Sequence, residues 1–263
     1  MKKILAAIAA AAVALSMSGC ISTKTYNAME NYDFVNMNTD FVQLREPEEG
    51  DKIAIIDTDY GEIRVVLYEQ YAPNTVADFI RRAENGEFDN KVVYGVMPKT
   101  YFMTGGHEND KGAYTGRESD EELVANEYTP DLWPFKGALV SFSEKSGFSD
   151  ARWFICNNDE ETLTEDAINQ LKDSVANRED EKERDNLIYL FDKFYEIGGV
   201  FGLAGYQTIF GQTYEGLDVV EKLCDIPVES NMRTSVDVMI KSVTISEYSA
   251  EETRETNTHE TKE

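Results

Sequence analysis

The sequence predicts a mostly β domain with two helices packed on it and one helical insertion, and three observations lead there. Short apolar runs with two-residue alternation recur between turn-forming residues, as in 53–58, 62–68 and 236–240. Two stretches among them, after Pro73 and after Gly216, carry apolar side chains at helical spacing. A long charged excursion, 159–198, carries two further apolar stripes at that spacing.

Composition bounds the rest. The chain has 263 residues, 41% of them hydrophobic, enough for one substantial domain with extensions. A formal charge of -25 excludes nucleic acid as the partner, because phosphate binding needs a basic face that releases counterions. The acidity reads as a solubility feature. His107 and His259 are too few and too isolated for a metal site, so no metal and no cofactor is expected. Cys156 and Cys224 read as small buried hydrophobes, and a disulfide between them stays open.

In chain order, residues 1–20 read as a lipoprotein signal peptide: Lys2 and Lys3, an apolar core too short to span a bilayer, and small residues before Cys20. Residues 21–50 form a polar tether dotted with aromatics, of which 41–44 should lie against the domain. The domain proper covers 51–248. Two strands, 53–58 and 62–68, join across Asp59-Tyr60-Gly61 as a hairpin. Pro73 opens a helix whose Val76, Phe79, Ile80 and Ala83 share a face, ending at Gly86. Residues 92–97 and 101–103 are apolar strands separated by Pro98, and Gly105-Gly106 closes the second. In the insertion 159–198, Thr162 and Glu165 have capping-box spacing. Its stripes Ile168, Leu171, Val175 and Leu187, Leu190, Phe191, Phe194 predict a helical hairpin or one bent helix. Leu217, Val220 and Leu223 predict a second domain helix, and the apolar phase shift at Lys241-Ser242 predicts a bulge in the last strand. Residues 249–263, charged and without large apolar side chains, should be a disordered acidic tail.

Several ordered blocks carry a family resemblance: IAIIDTDYGEIRVVLYEQYAPNTVADFI, KVVYGVMPKTYFMTGG, GALVSFSEKSGFSDARWFIC, TIFGQTYEGLDVVEKL and VDVMIKSVTI. Together they resemble the cyclophilin family of peptidyl-prolyl cis-trans isomerases, in the form found among bacterial exported lipoproteins. The resemblance implies a closed antiparallel β-barrel capped by a helix at each open end. It also implies an activity needing no nucleophile, metal or cofactor. Rotating an X-Pro amide crosses about 18–20 kcal/mol because the planar bond loses its resonance, and catalysis requires an apolar socket plus a donor to the prolyl nitrogen.

By that resemblance the socket is Tyr101, Phe102, Phe154 and Leu203, and the groups around the peptide are Thr104, Phe142, Ser143 and Gln207. Phe142, larger than the family's alanine, is expected to crowd the groove. Gly95 stands where the family has its catalytic arginine, and a shifted reading puts Val96 there instead. Arg152, two residues from Phe154, is the candidate replacement donor, weighed against an ion pair with Asp150 or Glu144. The expectation is a weakened isomerase acting on proline-containing peptides or unfolded exported proteins, held outside the cytoplasm by a lipid on Cys20. The alternative is a non-catalytic peptide-binding or scaffold lipoprotein.

Overall fold

A computed structural model describes residues 28–250 apart from 109–113, 116–122, 144, 146, 159–163 and 230–232. Cys20, Thr162 and the tail from 251 onward lie outside the described residues. In order the elements are β1 Lys52–Thr58, β2 Gly61–Leu67, α1 Pro73–Glu84, β3 Lys91–Val92, β4 Gly95–Met97, β5 Tyr101–Gly105, and the two-residue strands β6 His107–Glu108, β7 Tyr114–Thr115 and β8 Val124–Ala125. Then follow β9 Ala138–Phe142, β10 Phe148–Ser149, β11 Arg152–Cys156, α2 Glu165–Val175, α3 Glu181–Ile197, β12 Ile209–Glu215, α4 Leu217–Cys224 and β13 Met239–Glu247.

Nine strands form one antiparallel sheet in the order β3-β13-β1-β2-β12-β9-β11-β5-β4. The expected closed barrel is corrected here, because the hydrogen-bonded ladder stays open between β3 and β4. Those two edges are halves of one kinked segment: β3 pairs with β13, and β4 pairs with β5. A strand that must serve both neighbours within seven residues turns at Val93-Tyr94 and loses its own ladder there. Side chains bridge the break, with Thr104 Oγ1 donating to Val92 O at 3.0 Å and Thr234 Oγ1 to Val93 O at 3.0 Å.

The enclosed core holds Ile56, Ile63, Val65, Phe102, Leu139, Trp153 and Phe210, and α1 and α4 seal it with Val76, Phe79, Ala83, Val219, Val220 and Leu223. Both helices sit where their apolar spacing requires. The N-cap residue of α1, Ala72, has no side-chain acceptor. Glu127 supplies one from across the fold, accepting from Thr75 N at 2.8 Å and Asn74 N at 3.1 Å. The hairpin turn at Asp59-Tyr60 forms as expected, stapled by Thr58 Oγ1, which donates to Gly61 O and accepts from Tyr60 N. The bulge also falls in place: Asp57 pairs with Ser242 and Thr58 with Ile240, leaving Lys241 as the extra residue.

The insertion is a helical hairpin. Thr164 caps α2 by accepting from Ala167 N, two residues beyond the predicted capping position, and Asp180 caps α3 by accepting from Glu183 N. Both predicted stripes are buried, in a second core that also contains Met29, Phe34, Met37, Phe41, Trp133, Phe135 and Phe201. The tether from Ala28 to Leu44 is thus folded onto the domain over far more of its length than the expected 41–44. Cys156 and Cys224 are buried free thiols.

Candidate active site

Strand alternation sorts the predicted site residues onto two faces. Along one row run Gly95, Met103, Phe154 and Val140, paired strand to strand; beside it lie Met97, Tyr101 and Cys156 on one flank and Arg152 with Phe142 on the other. This outer face carries an apolar cluster of Tyr101, Met103, Val140, Phe154 and Val200, with Leu203, Phe142, Met97 and Tyr94 packed against it. The opposite row is Val96, Phe102, Ile155 and Leu139, all in the enclosed core.

Tyr101, Phe142, Phe154, Leu203 and Arg152 therefore meet on one face, whereas Phe102 and Thr104 do not. Phe102 is fully enclosed and packs edge-on to Trp153. Thr104 pairs with Trp153 across the ladder and spends its hydroxyl on Val92. Met103, rather than Phe102, shares the face of Tyr101 and Phe154. The two-residue period already held this information, since Tyr101 and Met103 must share a face if Tyr101 lines it. Val96, the second reading for the missing arginine, points into the core, so Gly95 is the position that faces the site.

The socket is closely packed. Tyr101 and Phe154 lie with ring centroids 5.1 Å apart, and they are 6% and 2% exposed. Burial raises the Tyr101 phenol to about 12, so its hydroxyl stays protonated at neutral pH. Leu203 ends a short 3-10 turn, Phe201–Leu203, whose capping residue Val200 belongs to the same cluster. Gln207 stands in the following loop, half-buried, with its Oε1 enclosed and unpartnered. Ser143, just past β9, accepts from Lys145 N at 3.0 Å.

Arg152 is held by Asp150. Its Nη2 donates to Asp150 Oδ2 at 2.8 Å and its Nε to Oδ1 at 3.1 Å, with the side chains only 6% and 3% exposed. The guanidinium also lies 4.8 Å from the Phe142 ring centroid. Behind this pair is a cavity of about 10 Å³ lined by Asp78, Arg82, Ser141, Ser149 and Trp153, room for one water and too small for a proline ring. Among the described residues no cluster of His, Cys, Asp and Glu could hold a metal ion.

Gly95 needs no special backbone. Its φ is not positive, and a Cβ built there meets only the Met103 Cβ at 3.6 Å, an ordinary contact. A side chain at 95 would extend over the outer row toward Met103.

The family model for cyclophilin type peptidyl-prolyl cis-trans isomerases matches residues 53–245, most of the chain. The chain belongs to the cyclophilin-type peptidyl-prolyl cis-trans isomerase family. A relative from Staphylococcus epidermidis, named as a peptidyl-prolyl cis-trans isomerase, is 23% identical over 210 residues, spanning 80% of this chain and 100% of that protein. One from Staphylococcus saprophyticus is 25% identical over the same length, with the same coverage. A predicted bifunctional phosphatase/isomerase from Streptococcus pyogenes is 23% identical, and this chain spans only 44% of it. In solved structures the cyclophilin fold recurs in a Cryptosporidium parvum isomerase crystallised with the dipeptide Ala-Pro, at TM-score 0.53 and 16% identity, covering 74% of this chain and 98% of that one.

Proposed function

We propose that this cyclophilin binds proline-containing segments of exported proteins on the outer face of β4, β5, β11 and β9, and isomerises them far more slowly than an arginine-bearing relative. Gly95 carries the reading. It lies on the socket row beside Met103 and brings no donor to the prolyl nitrogen. The family match and the Ala-Pro dipeptide with the Cryptosporidium relative support the substrate class. Tyr101, Met103, Phe154 and Leu203 supply the apolar contact for the ring, with Phe142 and Gln207 at its margin. Arg152 acts here chiefly as the partner of Asp150 rather than as the donor.

The test is exchange spectroscopy on a short Ala-Pro peptide with the natural chain and with Gly95→Arg. Binding with slow turnover is expected for the former. Restoring one preorganised donor should then raise kcat/KM by about 100-fold or more. Absence of both binding and turnover in both proteins would overturn the proposal. The tight packing of Tyr101 on Phe154 favours a second reading, a binding module without turnover, which the same experiment reports as affinity unaccompanied by exchange.

We further propose that Cys20 is acylated and holds the domain at the outer membrane surface. Small residues before that cysteine, after a short apolar core, support this.

A further inference from the structure

Two contact paths run from the N-terminal segment to the loop that carries Leu203 and Gln207. The direct one is a backbone hydrogen bond, Ala28 N to Gly205 O at 2.9 Å, made where Gly205 turns the loop at φ +76°. The second passes through Trp133. Gln43, itself buried, grips that residue's backbone from both sides: Trp133 N donates to Gln43 Oε1 at 2.6 Å, and Gln43 Nε2 donates to Trp133 O at 2.8 Å. Tyr32 meets the Trp133 indole edge-on at 6.1 Å. The indole also stacks on Phe201, centroids 6.5 Å apart and planes 14° apart. Phe201 opens the 3-10 turn that ends in Leu203, and Val200 N donates to Pro134 O at 2.8 Å, tying the same turn to the segment that carries Trp133.

We propose that residues 28–44 are a positioning strap for the peptide site, with Gln43 as its fastening residue: they set where Leu203 and Gln207 stand relative to Tyr101 and Phe154. A spacer would not need this arrangement. A side-chain amide that satisfies both backbone groups of one buried tryptophan, and Gln212 Oε1 at 3.0 Å besides, fixes three distant segments together. Within the 3-10 turn the bonds are short-range, Leu203 N to Val200 O and Ala204 N to Phe201 O, so the packing on Phe201 and the bond from Val200 N to Pro134 O contribute to its placement. The proposal rests on the peptide site described above for its functional half, and on geometry alone for its structural half.

The full-length chain is compared with Gln43→Met, which keeps the volume and removes the hydrogen bonds, and with Phe34→Ala, which thins the strap beside Trp133. Amide hydrogen exchange at Leu203, Ala204 and Tyr206 should quicken by about tenfold or more in both variants, while the β1–β2 amides keep their protection. Affinity for a short Ala-Pro peptide should fall by about threefold or more, and saturating peptide should restore part of the lost protection, as linkage requires. Unchanged exchange at 203–206 in whichever variant folds overturns the strap. Faster exchange with unchanged affinity overturns its role at the site. Should the natural chain bind no peptide, the proposed function fails, and the exchange data alone still decide whether the strap holds the loop.

Discussion

At the scale of single residues, Gly95 and Arg152 have different consequences for the candidate site. Gly95 removes a donor without disturbing the fold, since its backbone is ordinary and its Cβ direction is open. Arg152 adds a cation but spends it on Asp150, and both are almost wholly buried. Breaking a buried pair leaves a desolvated charge behind, which typically costs about 3–5 kcal/mol. Arg152→Gln should therefore lower unfolding stability by roughly 3 kcal/mol in urea titration, and adding Asp150→Asn should recover much of that loss. An unchanged midpoint for Arg152→Gln would show that Asp150 finds another partner. This differs from what a donor role predicts, namely lower turnover at constant stability.

At the scale of elements, the hairpin α2–α3 is bound to the strap rather than to the barrel core. Its stripes share a core with Phe34, Phe41, Trp133, Phe135 and Phe201, while none of its residues enters the enclosed core. From sequence, an insertion relative to the family ought to be removable, leaving a folded barrel. The shared packing alters the expected outcome. Each uncovered aromatic forfeits about 1.5–3 kcal/mol of burial and becomes an aggregation surface. Deleting 159–198 with a short bridge should give an aggregating protein, and removing 28–44 as well should not rescue it, because Trp133, Phe135 and Phe201 lose their remaining cover. A soluble, cooperative product from the first deletion alone would show that strap and barrel repack over the gap.

At the scale of the whole molecule, a charge of -25 means that an anionic bilayer repels the chain, so electrostatics would not hold it at a membrane and the proposed lipid on Cys20 would have to. The docked strap shortens the leash. Seven residues lie between Cys20 and Ala28, eight steps of chain with an extended reach of about 28 Å, so an acylated Cys20 would keep the site close to the surface. Cys20→Ser should move the protein from the membrane fraction to the soluble exported fraction, read by fractionation and immunoblot. Retention of the variant at the membrane would remove the anchor from the account.

What the sequence determined by itself is what neighbours along the chain decide. The turn at Asp59-Tyr60, the faces of α1 and α4, the extra residue at Lys241 and both stripes of the hairpin follow from side-chain period and backbone preference within a few residues. The family likewise followed from ordered blocks, and Tyr101, Phe154 and Leu203, which the resemblance nominated, gather in one cluster. Tertiary structure alone decided the rest: which of the two faces of β5 is interior, that Glu127 caps α1, that Asp150 takes Arg152, and that Gln43 clamps Trp133 from 90 residues away. The reason is physical. Which side of a strand is interior, and which buried polar group meets which partner, is settled by desolvation, and desolvation exists only after distant segments have closed over one another.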